Sequence, residues 1–436
     1  MSEEYTLKAE ELERGIDVEN TTLVYSLISN GKKEISRTLK YDYTRCNGCG
    51  ICVSVCPTKA LELGSIPEIA TGLDAPPVTW NIDLCTFCGM CAAFCPVNAI
   101  KMDTNDVDVA GGDSLLNMDT SFNEQCLPCL ICERTCPHDA IEVELNLPTK
   151  ESLFPFDETG KGSIEVDMEK CTLCGICAPF CPAFVMVEKD VDCNSLMPFE
   201  NLIVDTEKCD YCTLCVDICP EDAISVERIS GKPINVKPPK IEGEIKVDAE
   251  LCTRCGWCAA VCPYDGVDVQ RPFDADVHLL KGPLTECDPI GCHACFNVCP
   301  SNCFYVKERS DTTDGGVEGI RIGVKEDFCI GCGACENSCP LHGIVVERKQ
   351  SSHFSPDEGP WGSQWNDAIS SLTEGTRHRP DAEGSIDHLK IGVEHNEGTV
   401  EAVPKKNLKR LTRPLEEVEQ KLKNVGKRRK FELGGS

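Results

Sequence analysis

Short stretches of alternating apolar and polar residues recur along this chain. Each ends near an aspartate and runs straight into cysteines. SIEVDMEKC places Ile164 and Val166 on one face, and EIKVDAELC does the same with Ile245 and Val247; a period of two predicts a strand. Behind the cysteines come Pro and segments such as Ala99-Ile100 and Ala223-Ile224, which lead into a second apolar run. The frame predicts strand, cysteine loop, a short helix opened by the proline, and a second strand. VTWNIDLCTFCGMCAAFCPVNAIKM shows all of it. Two such frames make one α+β unit, and their recurrence predicts tandem units. At the start, TTLVYSLISNGKKEISRTLKYDY predicts a hairpin turning at Asn30-Gly31. Toward the end, residues 351–385 are polar and punctuated by Gly and Pro, which predicts an extended arm anchored by Trp361 and Trp365. Pro414 then opens an amphipathic helix with Leu415, Val418, Leu422 and Val425 on one face, stopped by Gly426.

Of the 34 cysteines, all but Cys193 and Cys303 fall into eight clusters, each ending in Cys-Pro. In order they are Cys46, Cys49, Cys52, Cys56; Cys85, Cys88, Cys91, Cys95; Cys126, Cys129, Cys132, Cys136; and Cys171, Cys174, Cys177, Cys181. The second half holds Cys209, Cys212, Cys215, Cys219; Cys252, Cys255, Cys258, Cys262; Cys287, Cys292, Cys295, Cys299; and Cys329, Cys332, Cys335, Cys339. Seven read C-x2-C-x2-C-x3-C-P, the ferredoxin signature for a cubane [4Fe–4S] cluster, whose fourth cysteine ligates the neighbouring cluster. Three thiolates at this step can wrap one cube, and the fourth, pointing away, reaches another. Proline next to it suits a first helical turn. Glycines recur after the second cysteine (Gly50, Gly89, Gly175, Gly256, Gly333), where the chain must pass close to the inorganic core.

Other chemistries fit poorly. Structural zinc uses two separated knuckles without a third cysteine at the same step. Cysteines this close are poor disulfide partners. The start, MSEEYTLKAEELERG, is polar and acidic and does not read as a signal peptide. His293 follows Cys292, but Cys287 stands five positions earlier, so the c-type haem motif is missing. The expected setting is a reducing cytoplasm.

Sequential pairing gives four ferredoxin-like units at 39–110, 111–192, 193–274 and 275–349, after an N-terminal extension at 1–38 and before an arm with a basic helix at 350–436. Cys46, Cys49, Cys52 and Cys95 would then hold one cluster, and Cys85, Cys88, Cys91 and Cys56 the next. Leu130, Thr213 and His293 replace the glycine in the third, fifth and seventh motifs, which fits that duplication, although Gly50 in the first breaks it. A nested arrangement, one unit inserted in another, is the alternative. In the seventh motif the first gap widens to Cys287-DPIG-Cys292. That is either a loop insertion around an ordinary cube or an altered cluster recruiting Cys303; Cys193 and Cys303 read as buried free thiols.

With 6% aromatic residues, units of about 70 residues are marginal by burial alone, so the clusters should serve as core and binding should be coupled to folding. No apolar run approaches the roughly 18 residues that cross a membrane. Formal charge is −29, and eight oxidised cubanes at about −2 each would bring it to about −45, which argues against nucleic acid. The acidity reads either as a field that steers docking onto basic partners or as an ordinary salt-adapted surface. Residues 401–436 invert it, with 11 Lys/Arg against 5 Asp/Glu, and read as a docking arm. His138 and His342 follow cluster prolines, where a supporting role is expected. The chain lacks GxGxxG, P-loop and G-x-S-x-G motifs, so no catalytic residue is expected and electron transfer alone explains the sequence.

Eight paired motifs resemble the polyferredoxins of methanogenic archaea. The count, and the run CNGCGICVSVCPTKALELGSIPEIATGLDAPPVTWNIDLCTFCGMC, are most similar to the polyferredoxin subunits of formylmethanofuran dehydrogenases. The resemblance covers about 40–349. It implies eight [4Fe–4S] clusters carrying low-potential electrons to a W/Mo-pterin subunit that reduces carbon dioxide, within a complex with catalytic and accessory subunits. Polyferredoxins linked to hydrogenase, heterodisulfide reductase or formate dehydrogenase, or a free electron store, are the alternatives it leaves open.

Overall fold

The computed structural model describes residues 12–373 apart from 20–21, 30–34, 105–115, 308–312, 315–316 and 352–361. Every cysteine loop sits between two strands. In six of the eight motifs the entering strand stops where an Asp or Asn side chain accepts the backbone N–H two residues on, as in Thr44 N to Asp42 Oδ1 (3.0 Å), Glu169 N to Asp167 Oδ1 (3.0 Å) and Glu250 N to Asp248 Oδ1 (2.8 Å). That side chain supplies the turn the backbone would otherwise need, which explains why the alternating runs end near aspartate.

The short helices lie before the cluster proline, not after it. Ile51–Val55 ends at Cys56 (φ −69°, ψ 114°), and Trp257–Val261 ends at Cys262 (φ −67°, ψ 117°). Proline's ring excludes the preceding residue from the helical region, so the Cys-Pro pair is a stop signal and the expected helix-opening role is corrected. In seven motifs the turn that follows carries a left-handed residue three positions past the cysteine, five of them Asn or Asp (Asn98, Asp139, Asp222, Asp265, Asn302) and the others Lys59 and His342; Asn and Asp tolerate that region best.

Strand pairing defines the units. In the first, Ile35–Asp42 pairs with Ile100–Thr104, and Leu61–Leu63 with Val78–Trp80. The last repeats this with Phe273–Leu279 on Ile344–Ser351 and Phe304–Val306 on Ile322–Val324. All four pairs are antiparallel, and each unit closes by joining the first strand of one motif to the last strand of the other.

The middle four motifs are nested. Lys161–Val166 pairs with Ile224–Ser230 and Phe184–Glu188 with Phe199–Val204, so the fourth motif closes on the fifth. Asp119–Phe122 pairs with Val267–Gln270 and Ile141–Leu145 with Gly243–Val247, so the third closes on the sixth. The sequential boundaries at 111–192 and 193–274 are therefore corrected. An inner unit is inserted between the halves of an outer one. The 27-residue segment between Cys181 and Cys209 holds little beyond one short hairpin, whereas the segment after Cys136 also carries the helix Lys150–Leu153.

The extension at the start supplies Leu12–Glu19 and Thr22–Ser29, which build a four-stranded antiparallel sheet with Ile35–Asp42 and Ile100–Thr104. The expected hairpin strands pair in this way, while its turn at Asn30-Gly31 lies outside the described residues. Residues Ser363–Thr373 form a helix rather than an extended segment. Its Trp365 is buried and stacks on Phe94 at 4.2 Å, beside Ile51 and Phe273, because an aromatic surface this large is held better against a packed core than in water. Trp361 and the expected helix after Pro414 lie outside the described residues.

Candidate iron–sulfur sites

Where the chain doubles back, three cysteines of one motif face the fourth of another across a cavity. One cavity is lined by Cys171, Cys174, Cys177 and Cys219, and its neighbour by Cys209, Cys212, Cys215 and Cys181. A third gathers Cys252, Cys255, Cys258 and Cys136, and a fourth Cys287, Cys292, Cys295 and Cys339. The remaining four groups follow the same rule. Cys262 acts electrostatically on Cys126 and Cys129, Cys95 on Cys46 and Cys49, Cys56 on Cys91, and Cys299 on Cys332 and Cys335. The widened seventh loop, Cys287 to Cys292, thus keeps its cysteines in the common arrangement.

Burial, reinforced by neighbouring thiols, holds the inner cysteines of several of these loops high. It pushes Cys129, Cys174, Cys212 and Cys255 up to about 11, and Cys177, Cys258 and Cys295 up to about 12. Buried sulfurs that resist ionising fit a positive iron core, which would offset both the burial and the mutual repulsion. The fourth sulfurs also accept backbone N–H groups: Ala60 N to Cys56 (3.2 Å), Ala99 N to Cys95 (3.2 Å), Ala140 N to Cys136 (3.3 Å), Ala223 N to Cys219 (3.3 Å). Donors aimed at sulfur favour the thiolate form.

The residue after the second cysteine turns left-handed to start each short helix. Gly256 does so at φ 87°, and so do Thr213 (φ 66°) and His293 (φ 51°) without glycine's freedom. Leu130 does not; at φ −90° its N–H instead donates to Cys174 O at 3.1 Å, tying the outer unit to the inner.

Similar contacts join the other sites. Asn47 Nδ2 donates to Cys332 Sγ at 3.4 Å, and Asn337 Nδ2 to the carbonyls of Gly48 and Cys49 at 3.0 Å. Trp257, from the sixth motif, packs on Phe328 beside Cys329, with ring centroids 6.1 Å apart. His138 Nε2 lies 2.6 Å from Pro300 O; a carbonyl only accepts, so Nε2 carries the proton and bridges the outer and last units. The Cys329 site therefore adjoins three others, those of Cys46, Cys252 and Cys287. Cys88, at the Cys85 site, is exposed, and Asn297 of the seventh motif donates to Ala70 O (2.8 Å) in the first unit.

Two features lie outside the cysteine signature. Cys303 is 1% exposed and its Sγ lies 3.4 Å from Cys299 Sγ. Its neighbouring sulfur lowers Cys299 and Cys329, the latter to about 7. Cys193 is buried nearby, its thiol 3.6 Å from Phe304 O. The second feature is a set of arginines. Arg228 Nη1 holds the carbonyls of Asp210 (3.2 Å) and Tyr211 (3.1 Å), Arg271 Nη2 that of Cys255 (3.4 Å), and Arg348 those of Gly331 (2.6 Å) and Cys332 (2.5 Å). Each stands nine residues past the fourth cysteine of its motif, a spacing that reads directly from the chain. At the Cys209 site a buried Lys150 Nζ also lies 2.5 Å from Asp210 Oδ2, with Arg228 3.1 Å from Asp157.

These sites agree with comparisons against known families. A 4Fe-4S dicluster domain profile matches residues 125–185, 208–266 and 287–344, a second dicluster profile matches 170–224, and a 4Fe-4S binding domain profile matches 39–62 and 78–101. The chain carries multiple 4Fe-4S dicluster ferredoxin domains, an iron–sulfur architecture of the electron-transport class. Every dicluster match joins neighbouring motifs; strand pairing follows the 170–224 match (fourth with fifth) and the 287–344 match (seventh with eighth), not those that join third with fourth and fifth with sixth. Profiles read cysteine spacing along the chain and not which strands pair. No curated protein matches the chain. Among solved structures it resembles a chain of the formate dehydrogenase–heterodisulfide reductase–formylmethanofuran dehydrogenase complex of Methanospirillum hungatei. Identity is 22% over 86% of this chain and 96% of that one, with a TM-score of 0.50. Among the described residues no helix is long and apolar enough to cross a membrane.

Proposed function

We propose that this chain is an electron-relay subunit holding eight [4Fe–4S] clusters in a formylmethanofuran dehydrogenase complex. The observation that carries the relay is the convergence of three cysteines from one motif with the fourth of its partner, repeated at sites that touch one another. The thirty-two cysteines of the eight motifs are the proposed ligands. When bound, each cluster supplies one-electron exchange. The protein's part is to fix neighbouring sites, exclude water and aim amides at the sulfurs.

The partner assignment rests on the resemblance of the eight-motif chain and on the complex containing its structural neighbour. In this reading the chain delivers low-potential electrons to a W/Mo-pterin subunit that reduces carbon dioxide, and contributes no catalytic residue. The same neighbour comes from a complex with heterodisulfide reductase and formate dehydrogenase, which supports a shared relay with three ends as the second reading. Anaerobic affinity purification from native cells tests both. Recovery of a pterin-dependent carbon dioxide-reducing subunit is the expected result, and recovery of hydrogenase subunits alone would overturn the assignment. Iron analysis should give about 32 irons per chain, four for each cube; about 24 would remove two clusters.

A further inference from the structure

The four units share an asymmetry that cluster binding alone does not require. In each, among the described residues, only the second loop is held from behind by an arginine. In the inner, outer and last units this is Arg228, Arg271 or Arg348, nine residues beyond the last cysteine. In the first unit that position is Thr104, and the guanidinium comes from its register partner, Arg37, whose Nη1 donates to Phe87 O at 3.3 Å. The same chemistry is thus supplied from the neighbouring strand. The corresponding positions after the first motif of each unit are Ser65, Leu145, Asp190 and Glu308, none of them cationic. Room for the clamp is built in: a Cβ on Gly256 would meet Arg271 Nη2 at 2.5 Å, and one on Gly333 would meet Arg348 Nη2 at 2.9 Å.

A guanidinium keeps its charge at every accessible pH. Reduction adds negative charge, so a fixed cation nearby favours the reduced form. Holding a loop carbonyl outward also turns the next amide N–H the opposite way, because the two are anti across a trans peptide. Cations also stand near unclamped sites, where among the described residues they hold no carbonyl of the three-cysteine loop: Arg45, beside Cys95, donates to Val97 O (3.4 Å) and has Glu250 at 3.5 Å, and Arg321 acts on Cys287 through its charge.

We propose that the arginine clamps make each unit electrically lopsided, so that electrons rest on the site whose loop is clamped: those of Cys85, Cys209, Cys252 and Cys329. Two of these, Cys252 and Cys329, adjoin at the crossing of the array, which becomes the place where electrons collect. Arg228 shares its charge with Asp157 and exerts the smallest pull; Arg271, on which no ion pair is seen among the described residues, is the one to test, although it also acts on Cys329 of the adjoining clamped site and Arg254 Nη1 donates to Cys252 O (2.5 Å) in the same loop.

The inference rests on the cluster reading, which iron and sulfide analysis of the same samples checks separately. Full-length wild type, Arg271→Gln and Arg271→Lys would be titrated reductively and followed by electron paramagnetic resonance. With iron content unchanged, the Gln variant should lower the reduced-to-oxidised ratio of at least one of the adjoining Cys252 and Cys329 clusters about tenfold at fixed poise, ~59 mV for one electron. The Lys variant should keep most of the wild-type value, because it keeps the charge. Unmoved potentials in a fully loaded Gln variant would overturn the proposal. So would a loaded Lys variant shifted as far as Gln, or loss of iron from both, since the arginine would then serve structure alone.

Discussion

The nested topology can be tested by orphaning a thiol. Replacing Cys129 and Cys132 together with Ala removes two of the four sulfurs from the Cys126 site, leaving too few to hold a cube. About four of the roughly 32 irons should be lost, and two sulfurs released. One is Cys126. The other is Cys262 if the third motif closes on the sixth, as the strands Asp119–Phe122 and Val267–Gln270 do, and Cys181 if it closes on the fourth. Cys126 and Cys262 are both only partly buried, so an alkylating reagent can reach them. Burial holds the Cys126 thiol above its ordinary value, which keeps the reactive thiolate a minority at neutral pH. Labelling should therefore be run anaerobically at two pH values and become faster at the higher one. Peptide mass spectrometry should find Cys126 and Cys262 modified while Cys209, Cys212 and Cys215 stay protected. Loss of four irons with Cys262 still protected and Cys181 labelled would refute the nested arrangement.

Other outcomes follow from contacts already described. Cys303→Ala should leave iron content unchanged, because alanine occupies the matching position as Ala60, Ala99, Ala140 and Ala223; loss of about four irons would make Cys303 a ligand. Trp365→Ala removes the stack on Phe94 and should destabilise the first unit by ~3–5 kcal/mol, read as a lower anaerobic denaturation midpoint. An unchanged midpoint would mean that the helix Ser363–Thr373 is not part of that core. Lys150→Met leaves Asp210 buried without its cation and should cost ~3–5 kcal/mol. Lys150→Met with Asp210→Leu should recover most of this loss in the same assay, and failure to recover would show that Asp210 is needed for more than the ion pair.

Much of the fold is legible from the chain because cubane ligation fixes its own local geometry. The spacing locates all eight loops, and the alternation at Ile164 and Val166 or Ile245 and Val247 locates strands. Which loops share a unit is not legible from that signal, since every motif offers the same edges to pair. The weaker clue lies in the intervals: 28 positions from Cys181 to Cys209, 29 from Cys56 to Cys85 and 30 from Cys299 to Cys329, against 35 from Cys136 to Cys171. The cluster proline points two ways. Its preference for a helix's first turn competes with its exclusion of the preceding residue from a helix, and here the second effect wins. The arginines stand apart from the cysteines and look, in the sequence, like ordinary strand-end charges.

The insertion of one unit within another also orders the protein's manufacture. Cys126, Cys129 and Cys132 leave the ribosome long before Cys262, the sulfur they await, is made. At about 5–20 residues per second the delay is roughly 7–27 s. In that interval the whole inner unit is translated, and it can close first. The growing chain also offers Cys181, a wrong fourth sulfur, well ahead of the right one. Whatever machinery delivers iron must leave the outer loop open, or reopen it, until translation has passed residue 262. A nascent chain loaded too early would be trapped with its motifs joined in the order of synthesis.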